Sequence, residues 1–297
     1  MDLIRSQPRI GFANFVKAAS IVPINDLKGA KSGRFADKEQ LVRCKLASCY
    51  RLVDLCGWTH GIFNHITARI ENEGDNHFLV NPFGLLYNEI TASSLHKVDL
   101  NGRIIDQGTS GFGVNKPGFV LHSAIYEARS DVNFIVHVHT ASSVAVSALK
   151  CGLLPLCQEA LNCGGISYHE YQGMYIEDKA QLVNELGATN KVLILKNQGI
   201  IACGQTVEEA FFLAFNAVAA CESQVKAAAV GLDNLILPDP EISEEHRARG
   251  GTDAASRDWK TGEVEFEALM RTLDNLGYRT GYNYRLLPMV KSGLLEQ

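Results

Sequence analysis

The chain has 297 residues, of which 46% are apolar and 21% are charged, as in ordinary soluble globular proteins. Its net charge of −5 gives no basic surface, which excludes nucleic acid as an expected partner. No stretch approaches the roughly 18 to 20 uncharged apolar residues of a transmembrane segment. The first residues also lack the apolar core of a signal peptide. We therefore predict a cytoplasmic protein built around one large domain.

Cysteine usage supports the same compartment. None of the eight cysteines forms a C-x-x-C pair, and several lie in apolar stretches. In a chain of this length, such residues are typical of free, buried thiols in a reducing environment.

The first third of the chain begins with a segment that proline and glycine interrupt, residues 1–36, which we assign to an N-terminal arm. Asp37, with Gln40 three residues later, predicts a helix N-cap. Apolar residues at helical spacing then predict a helix over residues 37–55, which ends before Gly57. Strands are predicted over residues 63–70 and 77–81, and Asn101-Gly102 predicts a hairpin between strands at 97–100 and 103–105.

The rest of the chain alternates helices and strands. The pattern predicts helices over residues 119–129, 141–150 and 207–230, a strand ending at residue 139, and strands over 192–196 and 200–203. We predict one domain over residues 37–237, a charged linker over 238–258, and a C-terminal part over 259–297 with a helix at 263–275. Helices mixed with strands in a domain of this size indicate an α/β sandwich.

The strand before residue 140 carries the strongest chemical signal. His137 and His139 lie in the apolar run FIVHVHT, and alternate residues of a strand project to the same side. Two imidazoles on one side provide half of a divalent-metal site. The alternative is that each histidine is a hydrogen-bonded core residue, and the remaining ligands must decide between the two.

Several motifs together resemble the class II aldolase and adducin superfamily. They are GFVLHSAIY (residues 118–126), HVHT (137–140), NQG (197–199) and TVEEA (206–210), within a match over roughly residues 35–235. The block EFEALMRTLDNLGYRTGY (265–282) is most similar to the adducin head domain and its stand-alone relatives. The resemblance implies an α/β fold of three layers, with a central, mostly antiparallel sheet flanked by helices. The lyase members of the superfamily assemble as tetramers.

The resemblance also implies a metal site, which is incomplete in this sequence. In the enzymes, three histidines hold a zinc-like cation that acts as a Lewis acid. His137 and His139 match two of them, but the third position falls on Gln198, a poorer ligand than a neutral imidazole. In the enzymes, an acidic residue four positions before a helix histidine assists as a metal ligand or a base. In this sequence that position is Gly118, which has no side chain for acid–base chemistry. We therefore predict that Zn²⁺ or another divalent cation binds weakly or not at all.

His122, one helical turn after Gly118, is a candidate to complete a three-histidine set, with a core or interface role as the alternative. By the resemblance, Asn64, Gly84, Tyr168 and His169 are candidate substrate-pocket residues. Three further polar residues are weaker candidates, for which a solvated or capping role is favoured: His60, His65 and Glu159.

In the region that binds phosphate in the enzymes, Phe63 and Phe83 stand where small or hydroxyl residues are expected. If the chain has a substrate, these residues favour an unphosphorylated one.

Two functions follow from these observations. The first is an adducin-head-like binding protein that self-associates, expected as a tetramer, and engages actin or spectrin in the cytoskeleton. The second is a divalent-metal-dependent aldolase, lyase or epimerase that acts on a small hydroxy-carbonyl compound. The degraded ligand set and the adducin-like C-terminal block favour the first.

Overall fold

The structure is a computed structural model that describes residues 22–27, 33–71, 76–170, 179–241, 243, 245 and 259–285. The helices used below are α1 (Asp37–Leu55), α2 (Lys116–Ala128), α3 (Ala141–Ser147), α4 (Gln158–Asn162), α5 (Lys179–Leu186), α6 (Val207–Ala227) and α7 (Glu263–Asn275). The strands are β1 (His65–Glu71), β2 (Asn76–Val80), β3 (His96–Val98), β4 (Ile104–Asp106), β5 (Phe134–Val138), β6 (Ile166–His169), β7 (Val192–Leu195) and β8 (Gly199–Gly204).

The strands form one eight-stranded sheet in the order β4-β3-β2-β1-β5-β8-β7-β6. Neighbouring strands are antiparallel except for β6 and β7, which pair in parallel. The predicted hairpin is confirmed, since Asn101-Gly102 connects β3 to β4 and Gly102 adopts a positive φ of 73°. Strands β1, β5 and β8 occupy the centre of the sheet, where buried residues line both faces.

Side chains alternate between the two faces of the central strands, so the core is divided into two halves, one on each face of the sheet. Phe134, Val136 and Val138 of β5 belong to the cluster that packs against α1, α3, α4, α6 and α7. Ile135 belongs instead to the cluster under α2 and α5. The odd-numbered residues of β5 therefore face α2, and this assignment also places His137 on that side. The predicted three-layer α/β fold is confirmed.

Local predictions succeeded where periodicity was strong. Helix α1 has the predicted bounds, but its N-cap is Ala36, and Asp37 is the first helical residue, so the assignment of Asp37 as the cap was wrong. The Gln40 side chain donates a hydrogen bond to the Phe35 carbonyl instead of closing a capping box. The elements α4, β6 and α5 were not predicted, because each is short and lacks a clear apolar period.

The two ends of the described chain meet beside α1. Ile24 is fully buried; its N–H donates to the Tyr278 carbonyl, and its carbonyl accepts from the Ala92 N–H. This part of the predicted arm is therefore integrated into the fold, whereas residues 1–21, most of the predicted linker (246–258) and residues 286–297 lie outside the described residues. Helix α7 buries Phe266, Met270 and Leu273 in the same core as α6.

Candidate functional site

His137 and His139 lie at the end of β5 and on the same side of it, as the alternation predicted. Their ring centroids are 4.5 Å apart. His137 is 3% exposed, while His139, one residue past the strand, is partly buried. The strand pairing places His65 of β1 directly opposite His137 of β5. Cross-strand neighbours on one face of a sheet lie within side-chain contact, so a third imidazole joins the pair.

Helix α2 provides the fourth imidazole. His122 is fully buried, with its ring centroid 6.0 Å from that of His137 and 6.1 Å from that of His65. The Thr67 hydroxyl lies 2.8 Å from His122 Nδ1 and 2.8 Å from the Tyr126 hydroxyl. This hydrogen-bonded chain fixes the orientation of the His122 ring and leaves Nε2 as its second polar atom. We name His65, His122, His137 and His139 the histidine cluster.

Some polar atoms in this region are buried without a hydrogen-bond partner among the described residues. They are Nδ1 and Nε2 of His137, Nε2 of His122 and Oε1 of Gln198. Buried polar atoms in folded proteins are nearly always paired, by protein groups, water or a bound ligand. These unpaired atoms belong to three of the predicted ligands, and they mark this pocket as a candidate binding site.

Burial keeps the histidine cluster uncharged. Desolvation, and next to it the neighbouring imidazole of His139, lowers the pKa of His65 to about 4. Desolvation, followed by the effect of His60, lowers the pKa of His139 to about 4. The pKa values of His122 and His137 lie well below 6.5 for the same main reason. At neutral pH the cluster thus presents neutral imidazoles, which attract cations less than a carboxylate would.

Gly118 lies in the first turn of α2, directly over the His65 ring. A Cβ atom built on Gly118 would lie 1.9 Å from His65 Nε2, far inside any real contact distance. Asn115, the N-cap of α2, connects the two: its Oδ1 accepts from the Gly118 N–H at 3.4 Å, and its Nδ2 donates to His65 Nε2 at 3.0 Å. The volume beside Gly118, where the resemblance expects an acidic side chain, is therefore filled by an imidazole.

The residues present do not fit the catalytic metal centre that the superfamily implies. Throughout the part of the chain that the structure describes, no three or more His, Cys, Asp or Glu side chains are arranged to hold a metal ion. The Gln198 amide offers a weak oxygen ligand at the third position, and position 118 offers none. We therefore derive no catalytic step through a bound metal.

The structure places the four candidate substrate-pocket residues in separate parts of the fold. Asn64 is buried with a positive φ of 78°, and its Nδ2 donates to the Trp58 carbonyl, while Gly84 packs against the Phe112 ring. Tyr168 and His169 lie on the edge strand β6, three strands from β5. The Tyr168 hydroxyl accepts from the Leu153 N–H, and His169 Nδ1 lies 2.5 Å from Glu185 Oε2. These two residues have local partners and do not join the histidine cluster.

The three weaker candidate residues lie in different surroundings in the structure. His60 is exposed beside Phe63, and Glu159 lies in the first turn of α4. His65, for which we favoured a solvated or capping role, instead lies inside the cluster, and that assignment was wrong.

Thr67 and Tyr126, whose hydroxyl groups form the hydrogen-bonded chain to His122, were not identified from the sequence. The signal was present, because Thr67 shares a strand face with His65 and Tyr126 follows His122 by one helical turn.

Phe63 and Phe83 lie side by side, and Phe63 precedes His65 by two residues. Their ring centroids are 6.2 Å apart, and Phe63 is 53% exposed. The Phe83 N–H donates to the Gly113 carbonyl, which brings the exposed Phe112 beside them. This surface is aromatic where a phosphate would require hydroxyl groups or backbone amides.

A three-layer α/β fold with a histidine pair at the end of a central strand, facing the helix before it, defines a protein of the class II aldolase type. A sequence model of the family described as "Class II Aldolase and Adducin N-terminal domain" matches residues 44–225. The chain therefore belongs to the class II aldolase and adducin family.

The relatives identify the branch of the family. The chain is 53% identical to alpha-adducin of Rattus norvegicus over 274 residues, which cover 89% of this chain and 37% of that protein. It is 47% identical to gamma-adducin of Homo sapiens over 299 residues, which cover 96% of this chain and 42% of that protein. The chain thus spans about two fifths of the length of these relatives.

The crystal structure of an aldolase II superfamily protein from Pseudomonas syringae is also similar, with a TM-score of 0.78 and 38% sequence identity. The similarity covers 85% of this chain and 99% of that one.

Proposed function

We propose that this chain is an adducin-head-type binding module of the cytoskeleton that associates with itself and with actin or spectrin. The observation that carries the proposal is the 53% identity to alpha-adducin over 89% of the chain. The pocket supports it, since an imidazole fills the space of the acidic group and an amide stands at the third ligand position. A chain under selection for carbon–carbon lyase chemistry would need both groups.

We also propose a cytoplasmic location. All eight cysteines are free in the structure, and Cys44, Cys49, Cys163, Cys203 and Cys221 are buried. Burial raises the pKa of the Cys44 thiol to about 12 and that of the Cys56 thiol to about 11, which keeps both protonated and unreactive at neutral pH. Within the described residues, no helix is both long and apolar enough to cross a membrane.

The test is co-sedimentation of the purified chain with filamentous actin, with and without spectrin, together with light scattering over a range of protein concentrations. We expect the chain to pellet with the filaments in a saturable manner and to have a mass of several chains, with a tetramer as the predicted state. A His139→Ala variant is the matched control, because a binding surface outside the pocket predicts equal pelleting. A monomer that stays in the supernatant under all conditions would refute the proposal.

The second candidate is a divalent-metal-dependent aldolase, lyase or epimerase for a small hydroxy-carbonyl compound. The unpaired ring nitrogens of His122 and His137 favour it, because they need a partner. A weak Zn²⁺ or other divalent site at His137 and His139 remains a prediction. Metal content measured on protein purified without chelator separates the candidates: about one ion per chain, lost in a His137→Ala variant, would favour the enzyme.

A further inference from the structure

The contact between Gly118 and His65 has a consequence for what the pocket can bind. A Cβ atom at position 118 would lie 1.9 Å from Nε2, 2.2 Å from Cδ2 and 2.6 Å from Cε1 of the His65 ring. Three ring atoms within this range mean that the whole outer edge of the imidazole occupies the space. No side chain can be added at position 118 while the ring keeps its place.

Two contacts of the ring and the backbone pairing of its strand set its position. On the sheet, the pairing of His65 with His137 across β1 and β5 fixes the backbone from which the ring projects. At the helix, Asn115 Nδ2 donates to His65 Nε2 at 3.0 Å. The His122 ring meets it edge-on at an interplanar angle of 87°. A new side chain at position 118 can therefore be accommodated only if the His65 ring moves and gives up its hydrogen bond with Asn115.

We propose that His65 determines the ligand class of this pocket by occupying the volume that a carboxylate at position 118 would need. With His65 present, the pocket offers imidazole and amide ligands but no carboxylate at position 118. Removing the ring and adding a carboxylate at position 118 would assemble a site for a divalent cation, with His137 and His139 as the nitrogen ligands. The inference rests on the proposed function and deepens it, because it identifies the residue that keeps a carboxylate ligand out of the pocket.

The test compares the parent chain with His65→Asn, Gly118→Glu and the double variant. Asparagine is shorter than histidine and keeps a polar group toward Asn115. Zinc per chain is measured by mass spectrometry, zinc affinity by competition with a chromophoric chelator, and folding by circular dichroism and the thermal midpoint. We expect Gly118→Glu alone to lower the midpoint and to bind no more zinc than the parent. The double variant should recover most of the midpoint and bind about one zinc per chain.

The affinity of the double variant should exceed that of either single variant by at least about tenfold, the scale of one supporting group in a metal site. Adding His139→Ala to the double variant should remove the gain, which locates the ion in the pocket. Two results would overturn the proposal: a Gly118→Glu variant that binds zinc as tightly as the double variant, or a folded double variant that binds none.

If both variants with glutamate fail to fold, the smaller Gly118→Ala change tests the same contact. Its effect on the thermal midpoint should be large in the parent and small in a His65→Ala background. Equal effects in the two backgrounds would refute the steric relation. None of these outcomes alters co-sedimentation of the parent chain with actin, so failure of this inference is distinguishable from failure of the proposed function.

Discussion

Helix α7 allows a direct test of whether the C-terminal block belongs to the same core as the rest of the fold. The substitution is Met270→Ala. Met270 is fully buried and packs in one cluster with Phe266 and Leu273 of α7 and Phe211 of α6. The rings of Phe211 and Phe266 meet edge-to-face with centroids 6.1 Å apart. Removing the Met270 side chain therefore leaves a cavity in the core that α6 and α7 share.

Truncation of a buried methionine to alanine costs about 2 to 5 kcal/mol, and the upper part of that range applies where the site cannot collapse. Because Met270 is fully buried, we expect a loss of about 3 kcal/mol in the free energy of unfolding. The assay is guanidinium denaturation followed by circular dichroism, with the slope of the transition compared between variants. An unchanged slope with a lower midpoint would show that stability fell while the exposed area on unfolding stayed the same.

The matched control is Val264→Ala on the same helix. Val264 is 50% exposed, so its truncation should change stability by less than about 0.5 kcal/mol. If Met270→Ala also costs less than about 1 kcal/mol, α7 does not share the core in solution. In that case the C-terminal block would have to be a separate unit, as the sequence-based division at residues 238–258 suggested.

Three further predictions address the pocket and its support. In an exposed helix, replacing glycine by alanine stabilises by about 1 kcal/mol. In denaturation experiments Gly118→Ala should instead destabilise this chain by about 1 to 3 kcal/mol, because the new methyl group would clash with the His65 ring. A stabilised variant would contradict this contact. The folded-state pKa values of His65 and His139, about 4, lie below the ordinary 6.5, so the unfolded chain binds more protons between these limits. Their contribution to stability is present above about pH 6.5 and is lost as the pH falls towards 4. A His139→Gln variant should therefore lose less free energy of unfolding between pH 7 and pH 5 than the parent. An equal loss in the two chains would count against a lowered pKa of His139. Arg69→Met should cost about 2 to 4 kcal/mol, because the buried guanidinium donates to the carbonyls of Val132, Tyr126 and Arg129, and a thermal midpoint equal to that of the parent would exclude this role.

The sequence by itself determined the parts of this protein that depend on local periodicity and composition. Helix α1, the hairpin at Asn101-Gly102 and the strand that leads through His137 to His139 could be predicted, because each has a clear period or turn signal within about ten residues. The family resemblance rested on the same continuous motifs. The shared face of His137 and His139 followed from the alternation of a strand, which holds for any sheet.

Only the tertiary structure decided which residues complete the pocket. His65 and His137 are 72 positions apart in the sequence and become neighbours through the β1–β5 pairing, a register that no local pattern encodes. The filling of the space at Gly118 depends on how closely the first turn of α2 approaches β1, which is a property of packing. Short elements such as β6 and the position of α7 on α6 likewise arise from burial against distant residues. The identities of the candidate ligands are therefore local information, and whether they can bind a ligand together is decided by contacts between distant parts of the chain.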